Sequence, residues 1–232
     1  MAAAPTAGGG VSAAGGGPVT RPLVVAVDGP AGAGKSAVSR RVAEALGVPF
    51  VDSGMFYRAV AWLALEEGVA SDDVERLVEL VPRLRVEAER VFSQDRDLTA
   101  DIHRPEINDN LSAISQVAAV RDAINQRQRR LADQGVVMAG RDIGTVVFPE
   151  TPNKFFLTAS LGERVRRRLA QKLRRGEQAD AGEMEREIAG RDVADSTRLV
   201  APLRPAPDAV LIDTDGVDVD QVVRRILEQV KR

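Results

Sequence analysis

Residues 23 to 37 read LVVAVDGPAGAGKSA. Five consecutive apolar residues, Leu23 to Val27, give way at Asp28-Gly29-Pro30, the pattern of a short strand buried on both faces of a parallel sheet. A helix is expected next. From Ser36 to Leu46 the apolar positions Val38, Val42, Ala45 and Leu46 recur at helical spacing, and Gly47 stands where a C-terminal glycine stops a helix. Between strand and helix, Gly29 to Ser36 satisfies G-x-x-x-x-G-K-[ST]. Glycines there let successive backbone N–H groups face inward, and the helix start adds its positive dipole end, so the loop is a cradle for phosphate. Gly29, Pro30, Ala31, Gly32, Ala33, Gly34, Lys35, Ser36 and Ala37 are therefore the candidate site for ATP. Lys35 is placed to meet the β and γ phosphates as a point charge, and the Ser36 hydroxyl to ligate the accompanying Mg²⁺.

The alternation continues outward from this loop. Val48 to Val51 is a second strand, and Asp52 or Ser53 can cap a helix running through Ala64. VVMA at 136–139, KFFLT at 154–158 and Ala209 to Ile212 are further strands, and Val219 to Val230 is a closing helix. Strand and helix in turn specify an α/β fold, a doubly wound parallel sheet of P-loop NTPase type. Two segments interrupt it. Residues 71–108 break into short charged, β-prone pieces (VPRLRVEAE, RVFSQ, DLTADI), which predicts an inserted subdomain of a few antiparallel strands. Residues 160–195 predict a short lid: a strongly basic helix from Ser160 to Arg175, a loop, and a second helix from Gly182 to Asp195. Between them, helical spacing at Leu111, Ile114, Val117, Ala118 and Ile124 predicts one helix from Asn108 to about Asp133. All this is one domain, 23–232, behind a Gly/Ala tail, 1–22, too poor in large apolar groups to offset its ordering entropy and so expected to be disordered.

Composition removes several function classes. With 32 basic against 34 acidic residues the net charge is −2, so no broad electrostatic grip on nucleic acid is expected and any basic site must be local. There is no cysteine, hence no disulfide frame, thiolate zinc site or cysteine nucleophile, and a reducing cytoplasm is the expected location. The lone histidine, His103, cannot form a histidine metal cluster. No run of 18 apolar residues occurs, so no membrane association is expected. A GTPase switch is disfavoured because Asn153-Lys154 is followed by Phe155-Phe156 instead of completing N-K-x-D.

Three further constellations carry chemistry. Asp52-Ser53-Gly54-Met55-Phe56-Tyr57-Arg58 follows the second strand, where ligands of an open parallel sheet gather, and Ser53, Tyr57 and Arg58 can share one phosphate. Ala139-Gly140-Arg141-Asp142-Ile143-Gly144-Thr145 ends the VVMA strand, and neighbours at a strand tip point opposite ways, so Arg141 and Asp142 can serve two parts of one ligand. Arg164, Arg166, Arg167, Arg168, Arg174 and Arg175 on one helix, with Arg191 and Arg198 flanking Asp192 and Asp195, supply the charge that phosphoryl transfer needs.

Together VDGPAGAGKS at 27–36, DSGMFYR at 52–58, SAISQVAAVR at 112–121, GRDIGTVVFP at 140–149 and RDVADSTRLVAPLRPA at 191–206 resemble the bacterial cytidylate kinases of the nucleoside monophosphate kinase superfamily. The resemblance implies transfer of the ATP γ-phosphoryl group to CMP or dCMP in pyrimidine metabolism, by a monomer acting on free nucleotides. It places Ser53, Tyr57, Arg58, Arg141 and Arg198 around the acceptor phosphate, Ser112, Arg121 and Asp142 at the cytosine edge, and Arg191 and Asp195 at the sugar. Lys35, Arg141 and Arg198, with Arg167 and Arg168 of the lid, are the expected catalytic cations. Segment 71–108 would be the monophosphate-binding insert. Such kinases commonly carry an acid before the glycine of GRD; here it is Ala139, so no carboxylate of that strand is expected to support the metal.

Overall fold

The computed structural model describes residues 22–231, so the expected tail lies, but for Pro22, outside the described residues. Five strands, β1 (Val24–Asp28), β2 (Phe50–Asp52), β6 (Val136–Gly140), β7 (Lys154–Thr158) and β8 (Val210–Asp213), form a parallel sheet in the order β2-β6-β1-β7-β8. Each central strand is buried on both faces, and alternate residues feed two cores. Ala26, Val136 and Met138 point into one, with α2 (Gly54–Glu66), α4 (Asn108–Ile114) and α5 (Ala118–Arg130). Val25, Val27, Val137 and Ala139 point into the other, beneath α1 (Lys35–Leu46) and α8 (Val219–Leu227). β1 thus sits centrally, with the switch of chain direction at its carboxyl end, the ligand crevice of such sheets.

The segment after α2 contains a helix the sequence reading did not name, α3 (Val74–Leu80), capped by the Asp73 side chain on Arg76 N, and then an antiparallel sheet of β3 (Leu84–Glu87), β4 (Arg90–Ser93) and β5 (Arg96–Asp97). Leu77, Leu80, Leu84, Val91, Leu98 and Ile102 are at most 3 % exposed and join the same core as α2. The segment is therefore packed into the main body and has no separate core.

The single helix expected from Asn108 to Asp133 is instead two, and the break has a local cause. Ser115 Oγ and Gln116 Nε2 both donate back to the Ser112 carbonyl, at 3.0 and 3.1 Å, offering the backbone an alternative to helix continuation. The break leaves the Ser115 carbonyl free to accept from Arg121 Nη1 at 2.9 Å. After β7, α6 (Leu161–Arg174) and α7 (Ala181–Thr197) pack on each other as a helical hairpin over the sheet's carboxyl edge. No helix among the described residues is long and apolar enough to cross a membrane.

Candidate active site

A cleft of 1260 Å³ opens over the carboxyl ends of β1, β2 and β6, roofed by α6 and α7. Of the residues assigned from sequence to the nucleotides or to catalysis, all but Gly29 and Pro30 line it, whereas Arg164, Arg175 and Asp192 of the lid do not. Gly29 and Pro30 act from beneath, their carbonyls accepting from Lys35 Nζ at 2.7 Å each. Lys35 is 8 % exposed, and burial, followed by the nearby Arg141, holds its ammonium well below the usual lysine range. Gly34 has φ 89, which turns the loop amides inward at the start of α1. Arg167 lies directly above: a Cβ on Gly34 would be 3.7 Å from its Nη1. Arg167 is tied down there by Glu163 and by the hydroxyl and carbonyl of Thr214, whereas Arg168, among the described residues, bonds only Gln171 and faces the cleft. Arg164, seen in the sequence as one more lid cation, is instead a clamp, donating to the Ala31 carbonyl at 3.2 Å and pairing with Asp192 at 2.6 Å.

Opposite the P-loop stands a second cationic wall. Arg191 is lowered to about 10 by burial, then by Arg141 and Arg58; Arg58 is lowered by burial, with Arg168 and Arg141 adding to it. Three guanidiniums thus share one space, partly offset by Asp195, bonded to Arg141 Nε at 2.7 Å, and by Asp52 and Glu187. Such crowding is unfavourable for the folded chain alone and becomes favourable when an anion enters. The Ser53 side chain does not cap α2 and its hydroxyl stands beside Gly140; Asp52 serves that turn instead, its Oδ1 accepting from Gly54 N at 3.0 Å. Gly140 is required here by close approach: a Cβ would fall 2.5 Å from Ser53 Oγ and 2.6 Å from Ile143 Cγ1. Gly140→Ala is therefore expected to displace both the Ser53 hydroxyl and the strand tip, raising KM for the acceptor by about tenfold or more in steady-state assays.

The third part of the cleft is a buried polar pocket. Asp142 Oδ2 accepts from Arg121 Nη2 at 2.5 Å, both residues being at most 4 % exposed, and Arg198 lies 3.7 Å from Asp142 and 3.6 Å from Asp195. Arg121 is also stacked over Tyr57, 5.1 Å from its ring centre. Arg121 Nε and Arg198 Nη2 are buried without a hydrogen-bond partner among the described residues, a cost in the free chain that a ligand acceptor relieves. Ser112 stands at the rim.

Two carboxylates matter that the sequence reading used only as strand ends or caps. Asp52 Oδ2 accepts from Ser36 Oγ at 3.1 Å, and Asp52 is the cross-strand partner of Ala139. Asp28, at the end of β1, accepts from Ile143 N at 2.9 Å and Gly144 N at 2.7 Å, the first amides of a π-helical turn, Ile143–Val147. Burial pushes its carboxyl up to about 6, against those two amides. The shift is upward from 3.8, so the folded chain favours the protonated form, and stability falls as pH rises through that window. At neutral pH the charge costs roughly 3 kcal/mol. The only signal in the sequence was an acid at a strand end before a glycine loop.

A phosphate cradle, a separate cationic wall facing it and a helical roof over both define a P-loop kinase of small phosphorylated acceptors. The family model described as "Cytidylate kinase" matches residues 25–232. A cytidylate kinase of Desulforamulus reducens is 44% identical over 220 residues, covering 92% of this chain and 99% of that protein. One of Caldanaerobacter subterraneus subsp. tengcongensis is 41% identical over 211 residues, covering 90% and 94%. A bifunctional pantoate ligase/cytidylate kinase of Trichormus variabilis is 44% identical over 219 residues, 90% of this chain but only 41% of that longer protein. The chain belongs to the cytidylate kinase family, and it is an enzyme that phosphorylates CMP or dCMP with ATP.

Proposed function

We propose that the two cationic walls divide the two nucleotides between them, ATP over Gly29–Ala37 and CMP or dCMP between the β2–α2 turn, the β6 tip and α7. The observation that carries this reading is the crowding of Arg58, Arg141 and Arg191 across one cleft from Lys35. Ser53, Tyr57, Arg58, Arg141 and Arg198 receive the acceptor phosphate, and the position of Arg191 beside Arg58 and Arg141 lets it serve that phosphate as well as the sugar that it shares with Asp195. Arg121 and Asp142, with Ser112 at the rim, read cytosine: a carboxylate accepts from the exocyclic amino group, and a guanidinium donates to N3 and O2. Uracil offers a carbonyl where cytosine has its amino group, and so meets an acceptor with an acceptor.

For the transfer itself the protein supplies placement and charge. Lys35, Arg141 and Arg198 flank the path of the moving phosphoryl group, Arg167 covers the P-loop, and Arg168 enters from the roof, where α6 and α7 exclude water. Mg²⁺ fits the residues present: Ser36 Oγ and Asp52 Oδ2 are hard oxygen donors, and Asp52 takes the part that a strand acid at position 139 would play. When bound, Mg²⁺ would offset charge on the β and γ phosphates. No group of three or more metal-binding side chains occurs among the described residues, in keeping with an ion that keeps waters and substrate phosphates as ligands. A monomer acting on free nucleotides in the cytoplasm belongs to the same reading.

The test is a coupled assay with ATP, Mg²⁺ and each monophosphate. CMP and dCMP are expected to turn over, with kcat/KM for UMP lower by about 100-fold. Equal values for CMP and UMP would overturn the role given to Asp142.

A further inference from the structure

Asp28 is 5 % exposed and costs stability when charged, yet it is not used by the reading above. Its geometry is specific. One oxygen takes Ile143 N and the other Gly144 N, the two amides that immediately follow Arg141-Asp142. Beyond them the π-helical turn closes on itself, Val146 N donating to the Asp142 carbonyl at 2.8 Å and Phe148 N to that of Ile143 at 2.7 Å. The carboxylate of Asp28 is therefore the fixed point from which the β6 tip departs.

The charged groups around Asp28 do not pair with it closely. Lys35 on α1 attracts it but donates to Gly29 and Pro30, and Asp142 on the turn repels it. From β7, Lys154 packs its stem beside Gly144 while its ammonium bonds the Pro149 carbonyl and Asp208. From β6 the register neighbour is Gly140, which carries no side chain. Among the described residues its hydrogen bonds come from two backbone amides.

We propose that Asp28 is a positioning residue for acceptor recognition: by holding both amides it sets the directions of Arg141 and Asp142, and its protonation loosens that tip and weakens binding of the acceptor nucleotide. A neutral carboxyl keeps one good acceptor oxygen and turns the other into a hydroxyl, so one buried amide loses its partner. With the carboxyl at about 6, the change falls close to neutral pH. The inference rests on the proposed roles of Arg141 and Asp142, and the experiment separates the two.

Binding of cytidine and of CMP to the full chain is measured by calorimetry between about pH 5 and 8 for wild type, Asp28→Asn and Asp142→Asn, with kcat/KM for CMP and UMP at neutral pH. The CMP phosphate itself gains a proton near 6, so cytidine reports the protein alone. Wild type is expected to lose cytidine affinity as pH falls through about 6, and to lose CMP affinity with one proton more than Asp28→Asn does. Asp28→Asn is expected to bind cytidine about tenfold more weakly at neutral pH and without that acid limb, because its amide group faces one of the two N–H donors. Cytidine affinity in wild type that is flat with pH overturns the proposal, and needs no variant to fold. So does an Asp28→Asn protein that keeps the wild-type limb, since a purely structural role lowers Tm and leaves the limb in place. If Asp142→Asn shifts the CMP to UMP ratio while either of these is observed, only Asp28 is misassigned; if Asp142→Asn leaves the ratio unchanged, the base-reading role falls first.

Discussion

Lys35→Ala is expected to lower kcat by about 10²–10³-fold, or about 3–4 kcal/mol of transition-state stabilisation, while KM for CMP stays close to wild type. The ammonium lies against the cradle, and its bonds to Gly29 and Pro30 hold it at the place where β and γ phosphates of ATP would lie. Stability should not follow activity. Burial lowers the pKa of Lys35 below its unfolded value, so at neutral pH the folded chain holds that proton less well than the unfolded chain does, and the charge opposes folding. Thermal melts of Lys35→Ala should show Tm unchanged or raised. A variant with near wild-type kcat contradicts the placement of ATP on this loop.

Asp142→Ala is expected to do the opposite kind of damage. It leaves Arg121 and Arg198 buried without their carboxylate, and removing one partner of a buried pair costs about 3–5 kcal/mol, so Tm should fall by several degrees. It also removes the group that accepts from the cytosine amino group, and the CMP to UMP ratio of kcat/KM should collapse toward unity. Asp142→Asn separates the effects: it keeps the shape, and its amide can donate to the uracil carbonyl, so UMP should gain relative to CMP. A preference for CMP that survives both substitutions removes Asp142 from base recognition.

The parts of this molecule that were legible in sequence are those whose cause is local. The run Leu23–Val27, the loop glycines and the helical spacing after Ser36 each act over a few residues, and the alternation they begin carries through to α8. What was not legible depends on partners far apart in the chain. Asp28 meets amides 115 and 116 residues away, and nothing beside it in sequence announces that. Asp52 looked interchangeable with Ser53 as a cap; only the register of β2 on β6 puts it beside Ala139 and within reach of Ser36. The basic face of α6 looked uniform, yet its arginines divide by contact: Arg164 clamps the P-loop, Arg167 binds Thr214 and Arg168 faces the cleft. α3 was missed because its segment is short and stands next to strand-forming residues, and its packing against α2 and α5 decides its form.

The interruption between α4 and α5 also bears on how the chain can change. Connections between helices usually tolerate insertions and deletions, because their length matters little to the elements they join. This one does not have that freedom. One residue more or fewer between Ser115 and Ala118 would either turn α5 by about 100°, taking Arg121 off Asp142, or leave α5 in place and carry the Ser115 carbonyl away from Arg121. Substitutions on the exposed side of that loop can drift, but its length is pinned by the guanidinium at its far end.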